Sequence, residues 1–137
     1  MSTGFKAMVF ALALAAGAGV AYADGGGVKL DGAQEVPAVA SDAHGVADIA
    51  VGADGSIIGT IKTTGIVGTM AHVHWAAAGK NGPVVITLTK SGADQWSIPA
   101  GAKLTAEQLA GYRAGELYVN VHSDAHKGGE IRAQLKP

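Results

Sequence analysis

Apolar and polar residues alternate in short runs along most of this chain, which is the pattern of β-strands with one buried face. Strands are predicted at residues 28–30, 45–51, 56–63, 69–76, 84–89, 95–98, 116–122 and 130–135. Pro37 makes residues 34–39 an irregular edge segment, because proline cannot donate to a central ladder. One short helix is predicted over residues 105–112, where Thr105 and Gln108 match a capping box. The pattern therefore predicts an all-β, antiparallel fold with one short helix.

The alternation also indicates which way the polar side chains of two strands point. In residues 116–122 the apolar positions 117, 119 and 121 share one face, so His122 lies on the opposite, polar face. In residues 69–76, Met70, His72 and His74 share a face. Strand order decides whether His122 faces the His72/His74 pair, and the sequence leaves that order open.

The first 23 residues have the features of a secretory signal peptide. Lys6 gives a positive start, residues 7–20 form an apolar run, and residues 21–23 (AYA) match a cleavage site. The run is shorter than the about 20 residues that an anchored membrane helix needs. We therefore expect residues 24–137 to be one domain, periplasmic or secreted, with no membrane insertion after cleavage.

Charge and cysteine content exclude several classes of function. Without Lys6, nine basic residues stand against eleven acidic ones, a net charge of −2 with neutral histidines, and the charges are scattered. Nucleic acid is therefore not an expected partner. The chain has no cysteine, which excludes disulfides, thiol catalysis and thiolate metal sites. No serine lies in a nucleophile elbow, and no catalytic residue is predicted.

Histidines offer the strongest chemistry in the sequence. His72 and His74 project together from one strand face, with Cβ atoms about 6.5–7 Å apart. His122 is expected to be a third ligand and His126 a fourth, which predicts a copper site with zinc as the alternative, since imidazole suits both ions. The competing interpretation is a set of polar residues on an exposed strand face.

Four further residues have chemistry that the sequence interprets less directly. Met70 lies on the face of His72, where its thioether would favour copper, although a strand methionine more often serves packing. His44 stands outside both histidine segments and is expected to be exposed. Glu130 and Arg132 are expected to form an ion pair or to bind backbone groups of residues 34–37.

Five sequence blocks occur in an order that resembles the CHRD domain family, named after chordin. They are residues 30–37 (LDGAQEVP), 71–74 (AHVH), 81–85 (NGPVV), 117–122 (LYVNVH) and 128–135 (GGEIRAQL). The resemblance implies a β-sandwich or barrel of Greek-key type, like that of Cu/Zn superoxide dismutases. The paired histidines and the later histidine are also similar to the copper-binding pattern of those enzymes. CHRD domains in chordin belong to a protein that works by binding other proteins.

These observations favour an exported protein that holds one copper ion through His72, His74, His122 and His126, for copper storage, tolerance or delivery. The alternative is a metal-free protein-interaction module of the cell envelope. A copper-dependent oxidoreductase of the superoxide dismutase type is a further alternative, which ranks below a non-enzymatic role.

Overall fold

The computed structural model of the protein describes residue 19, residues 21–24 and residues 27–137. The strands of this part are β1 (Tyr22–Asp24), β2 (Val28–Asp31), β3 (His44–Gly52), β4 (Ile57–Thr64), β5 (Gly68–Trp75), β6 (Val84–Thr87), β7 (Thr89–Gly92), β8 (Gln95–Ser97), β9 (Leu117–Ser123) and β10 (Ile131–Gln134). The helix α1 spans Ala106–Arg113, and a 3-10 turn spans Gly32–Gln34.

Neighbouring strands pair antiparallel in the order β6-β5-β9-β10-β2-β3-β4-β8-β7, with β1 beside β3. Strands β6 and β7 stand at opposite ends of this order, yet only Leu88 separates them along the chain. The amide of Leu88 donates to the carbonyl of Ala71 at 2.9 Å. Because the chain passes directly from one end of the sheet to the other, the sheet is nearly closed and barrel-like.

The apolar positions of the alternating strands form the core inside this sheet. Leu30, Ile61, Val73 and Val119 are completely buried, and their strands lie between β5 and β4 in the order of the sheet. Burial of this apolar surface is the main favourable term in folding. Tyr112 of α1 is also buried against the core.

The predicted all-β antiparallel fold with one helix is confirmed, and the helix begins as expected. Thr105 Oγ1 accepts from the Gln108 amide at 3.1 Å, and Gln108 Oε1 accepts from the Thr105 amide at 2.9 Å. The single strand predicted at residues 84–89 is wrong, since Leu88 divides it into β6 and β7. The predicted signal peptide at residues 1–23 lies mostly outside the described residues and stays a prediction.

Strand β9 is buried on both faces, although the sequence predicts that one face is polar. The loop between β5 and β6 covers that polar face. Its Gly82 amide donates to the Tyr118 hydroxyl at 3.1 Å, and its Asn81 side chain donates to the Val36 carbonyl at 2.7 Å. In the described part of the chain, no helix has the length and apolar character needed to span a membrane.

Candidate metal centre

Strands β5 and β9 are hydrogen-bonded neighbours, and their pairing brings three histidines together. The register places Met70 opposite His122, and His74 opposite Tyr118. Because alternate residues of a strand share a face, His72, His74 and His122 all project from the side away from the core. We call these three residues the trihistidine cluster. The strand order that the sequence left open therefore does bring His122 to the His72/His74 pair.

The imidazole nitrogens of the trihistidine cluster lie close enough to share one ion. His72 Nδ1 is 2.9 Å from His122 Nε2. One nitrogen from each of the three rings lies within 4.8 Å of the others. Metal–nitrogen bonds of about 2.0–2.1 Å place neighbouring ligands about 2.9–3.4 Å apart, for bond angles from 90° to tetrahedral. Small movements of the rings therefore suffice to enclose a metal ion.

Backbone carbonyl groups fix the hydrogen on two of the three rings. His74 Nδ1 lies 2.9 Å from the Gly82 oxygen, and His122 Nδ1 lies 2.8 Å from the Lys127 oxygen. A carbonyl oxygen only accepts hydrogen bonds, so each Nδ1 carries the hydrogen and the lone pair of each ring lies on Nε2. In His122 that lone pair accepts from His72 Nδ1. His74 Nε2 is buried and has no hydrogen-bond partner among the described residues. Metal-binding histidines usually have this arrangement, in which a partner of the other nitrogen orients the ring.

The surroundings of the cluster favour the neutral forms of His72 and His74. Burial lowers the pKa of His72, and the neighbouring His122 and His74 lower it further. Burial also lowers the pKa of His74, against opposing effects of the Gly82 hydrogen bond and the Asn120 side chain. Only neutral imidazole binds a metal, so the lowered pKa values keep His72 and His74 available as ligands at neutral pH.

A stack of planar groups supports one side of the cluster. The His74 and Tyr118 rings are parallel to within 1°, with centroids 4.7 Å apart. The guanidinium carbon of Arg132 lies 3.4 Å from the centroid of the same Tyr118 ring. Arg132 is almost completely buried and donates to the carbonyl groups of Ala77 and Lys80 at 3.3 and 2.8 Å. The stack therefore holds His74 between the sheet and the loop that follows β5.

Two buried polar side chains lie near the cluster: Asn120 neighbours His74, and Glu35 neighbours Asn120. Among the described residues, Glu35 Oε1 and Asn120 Oδ1 have no hydrogen-bond partner, although both are buried. Burial raises the pKa of Glu35 to about 7, while Asn120 and Arg132 act in the opposite direction. Gly129 allows this packing, because a Cβ there would lie 2.5 Å from both Asn120 Nδ2 and Glu35 Oε1.

The other predicted or possible ligands occupy different positions. His126 lies half-buried in the turn after β9, where its amide donates to Ser123, and it is not part of the group of three. His44 begins β3 and is exposed, as expected. Met70 is 49% exposed on the face of the cluster. The structure thus brings together three of the four predicted ligands, and ligation itself stays a prediction.

The predicted partners of Glu130 and Arg132 are wrong. The Glu130 carboxylate accepts from the Ser41 and Ser123 hydroxyls at 2.8 and 2.7 Å. Arg132 binds carbonyl groups of the loop after β5, because its side chain lies beneath that loop and not beside Glu130. The sequence also gave no sign that Glu35 is buried near Asn120 and Arg132, since its place depends on long-range contacts of the segment after β2.

Comparison with protein families gives one match. The model of the CHRD domain matches residues 27–135, which is nearly all of the described chain. Comparison with curated proteins and with solved structures gave no match. CHRD domains occur in secreted proteins.

Proposed function

The chain belongs to the CHRD domain family, and from the geometry of its trihistidine cluster we propose that it is an exported protein that binds one copper ion. The ion is held by His72, His74 and His122, and the protein serves copper storage, tolerance or delivery in the periplasm or outside the cell. The observation that carries this proposal is the convergence of three imidazole nitrogens within 4.8 Å of one another.

The chemistry of the donors supports copper over zinc. Three neutral imidazoles suit both ions, but a given nitrogen site binds Cu²⁺ more tightly than Zn²⁺. The free Nε2 atom of His74 fits a metal ligand, since burial of an unpaired nitrogen is otherwise unfavourable. The carbonyl groups of Gly82 and Lys127 contact Nδ1 of His74 and of His122, and so orient both rings before an ion binds.

Equilibrium titration with copper and with zinc tests this proposal. The purified protein is expected to bind one copper per chain, and the His72→Ala/His74→Ala double variant is expected to lose at least 100-fold in copper affinity. His44→Ala is the matched control, because it removes an exposed imidazole outside the cluster. Copper affinity that is the same in the double variant and the wild type would overturn the proposal. His126→Ala tests the predicted fourth ligand in the same assay.

Membership of the CHRD family favours a second candidate, a metal-free module that binds another protein. Metal analysis of protein purified without added ions or chelators separates the two candidates. Stoichiometric copper that disappears in the double variant supports the copper proposal. The second candidate is supported if the wild type is purified without metal, and if the wild type and the double variant bind a cell-envelope partner equally well.

An enzymatic role of the superoxide dismutase type is a subsidiary candidate. It requires an open position on the ion, and the partial exposure of His72 leaves one side of the cluster accessible. Superoxide dismutation by the copper-loaded protein that vanishes in the double variant would support this role. Absence of activity in a fully loaded protein would exclude it.

A further inference from the structure

Met70 stands beside the trihistidine cluster in a position that core packing does not explain. The core face of β5 carries Ala71 and Val73, which are completely buried, whereas Met70 lies on the opposite face and is 49% exposed. A methionine that packs in a core buries its thioether. Packing in the core, the usual role of a methionine in a strand, therefore does not account for Met70.

The register of β5 and β9 places Met70 within reach of the cluster. Met70 is the direct partner of His122 across the two strands, and directly opposed residues have Cβ atoms about 4.5–5.5 Å apart. It also precedes His72 by two residues, so the two side chains share a face. The methionine side chain has three rotatable bonds and adapts to irregular surroundings.

The sulfur of Met70 is also the single sulfur of its domain. The chain has no cysteine and three methionines, of which the other two, Met1 and Met8, lie in the segment predicted to be a signal peptide. Residues 24–137 therefore contain one sulfur atom, and that atom belongs to a side chain on the face of the three imidazoles.

We propose that Met70 is the fourth ligand of the trihistidine cluster, and that its thioether makes Cu(I) the preferred cargo. This inference rests on the proposed copper-binding function and adds the oxidation state of the ion. Thioether is a soft ligand that selects Cu(I), whereas imidazole by itself suits copper and zinc alike. Met70 is 49% exposed, so its thioether is accessible to an ion that arrives from solvent.

Anaerobic competition with a Cu(I)-specific chromophoric chelator measures the preference. Met70→Leu keeps the size and apolar character of the side chain and removes the sulfur. We expect Cu(I) affinity to fall at least tenfold in Met70→Leu, while Cu(II) and Zn(II) affinities stay within twofold of the wild type. Ile58→Ala is the matched control, because Ile58 is an equally exposed apolar residue on β4, which does not neighbour β5 or β9. It should leave all three affinities unchanged.

X-ray absorption at the copper edge gives an independent readout. A sulfur scatterer is expected in the Cu(I)-loaded wild type and should be missing in Met70→Leu. Equal Cu(I) affinity in Met70→Leu and the wild type, or a wild-type spectrum without sulfur, would overturn the inference. Loss of Cu(I) affinity in His126→Ala but not in Met70→Leu would also overturn it, in favour of His126. If the wild type binds no copper at the histidines, the proposed function fails instead, so the two failures are distinguishable.

Discussion

Replacement of Glu35 by glutamine should change how the stability of the protein depends on pH. The Glu35 side chain is 5% exposed, and burial raises its pKa from 4.5 to about 7. A carboxyl group with a raised pKa in the folded state binds its proton more tightly there than in the unfolded chain. Folding is therefore favoured at low pH, and this contribution is lost as the pH rises from about 4.5 to about 7.

The size of the effect follows from the two pKa values. A rise of about 2.5 in the pKa, at about 1.4 kcal/mol for each unit, corresponds to about 3 kcal/mol. About 2.5 kcal/mol of this falls between pH 5 and pH 8. A domain of this size has a total stability of about 5–15 kcal/mol, so the loss is large enough to measure. The lowered pKa values of His72 and His74 act in the opposite direction, but they act equally in both proteins.

Urea unfolding of the metal-free wild type and Glu35→Gln at several pH values provides the assay. The unfolding free energy of the variant minus that of the wild type should rise by about 2.5 kcal/mol from pH 5 to pH 8. Glu107→Gln is the matched control, because Glu107 is exposed on α1 and its replacement should give a difference that does not vary with pH. If the difference in unfolding free energy for Glu35→Gln is also independent of pH, the conclusion that burial raises the pKa of Glu35 to about 7 is refuted.

Two further predictions concern the packing and the proton dependence of the site. Gly129→Ala should destabilise the protein by about 2 kcal/mol, because its φ is +121° and the added Cβ would lie 2.5 Å from Asn120 Nδ2. Gly128 has open space where a Cβ would lie, so Gly128→Ala should hardly change the unfolding free energy. Equal unfolding free energies for the two variants would contradict the close packing at Gly129. Protonation of His72 and His74 should weaken metal binding only at pH values below 6.5, because the pKa values of both residues are lowered from 6.5. Affinity that already declines between pH 8 and pH 7 would show that these histidines are charged in that range.

The sequence was sufficient to predict which way the cluster residues point. Strict alternation in β5 and β9 puts His74 and His122 on the faces opposite Val73 and Val121, and the structure confirms both. Local rules of this kind depend only on strand geometry, and the Thr105 capping box likewise depends on neighbours within one turn. Such features can be predicted because distant parts of the chain do not alter them.

Features that depend on long-range contacts were not predictable. The neighbours of β9 are β5 and β10, and the pairing with β5 joins segments about 50 residues apart, which no local pattern specifies. The burial of the polar face of β9 depends on the loop that holds Gly82 and on the segment that holds Glu35. The break at Leu88 reflects closure of the whole sheet and not the preferences of residues 84–89.

The central claim, that three imidazoles from two neighbouring strands hold one copper ion, is tested most directly by a crystal structure of the copper-loaded protein with anomalous data at the copper edge. We predict one anomalous peak per chain at about 2.0–2.1 Å from His72 Nδ1, His74 Nε2 and His122 Nε2. Copper bound elsewhere on the protein, or a trihistidine cluster that keeps its His72–His122 hydrogen bond in the presence of excess copper, would contradict the claim.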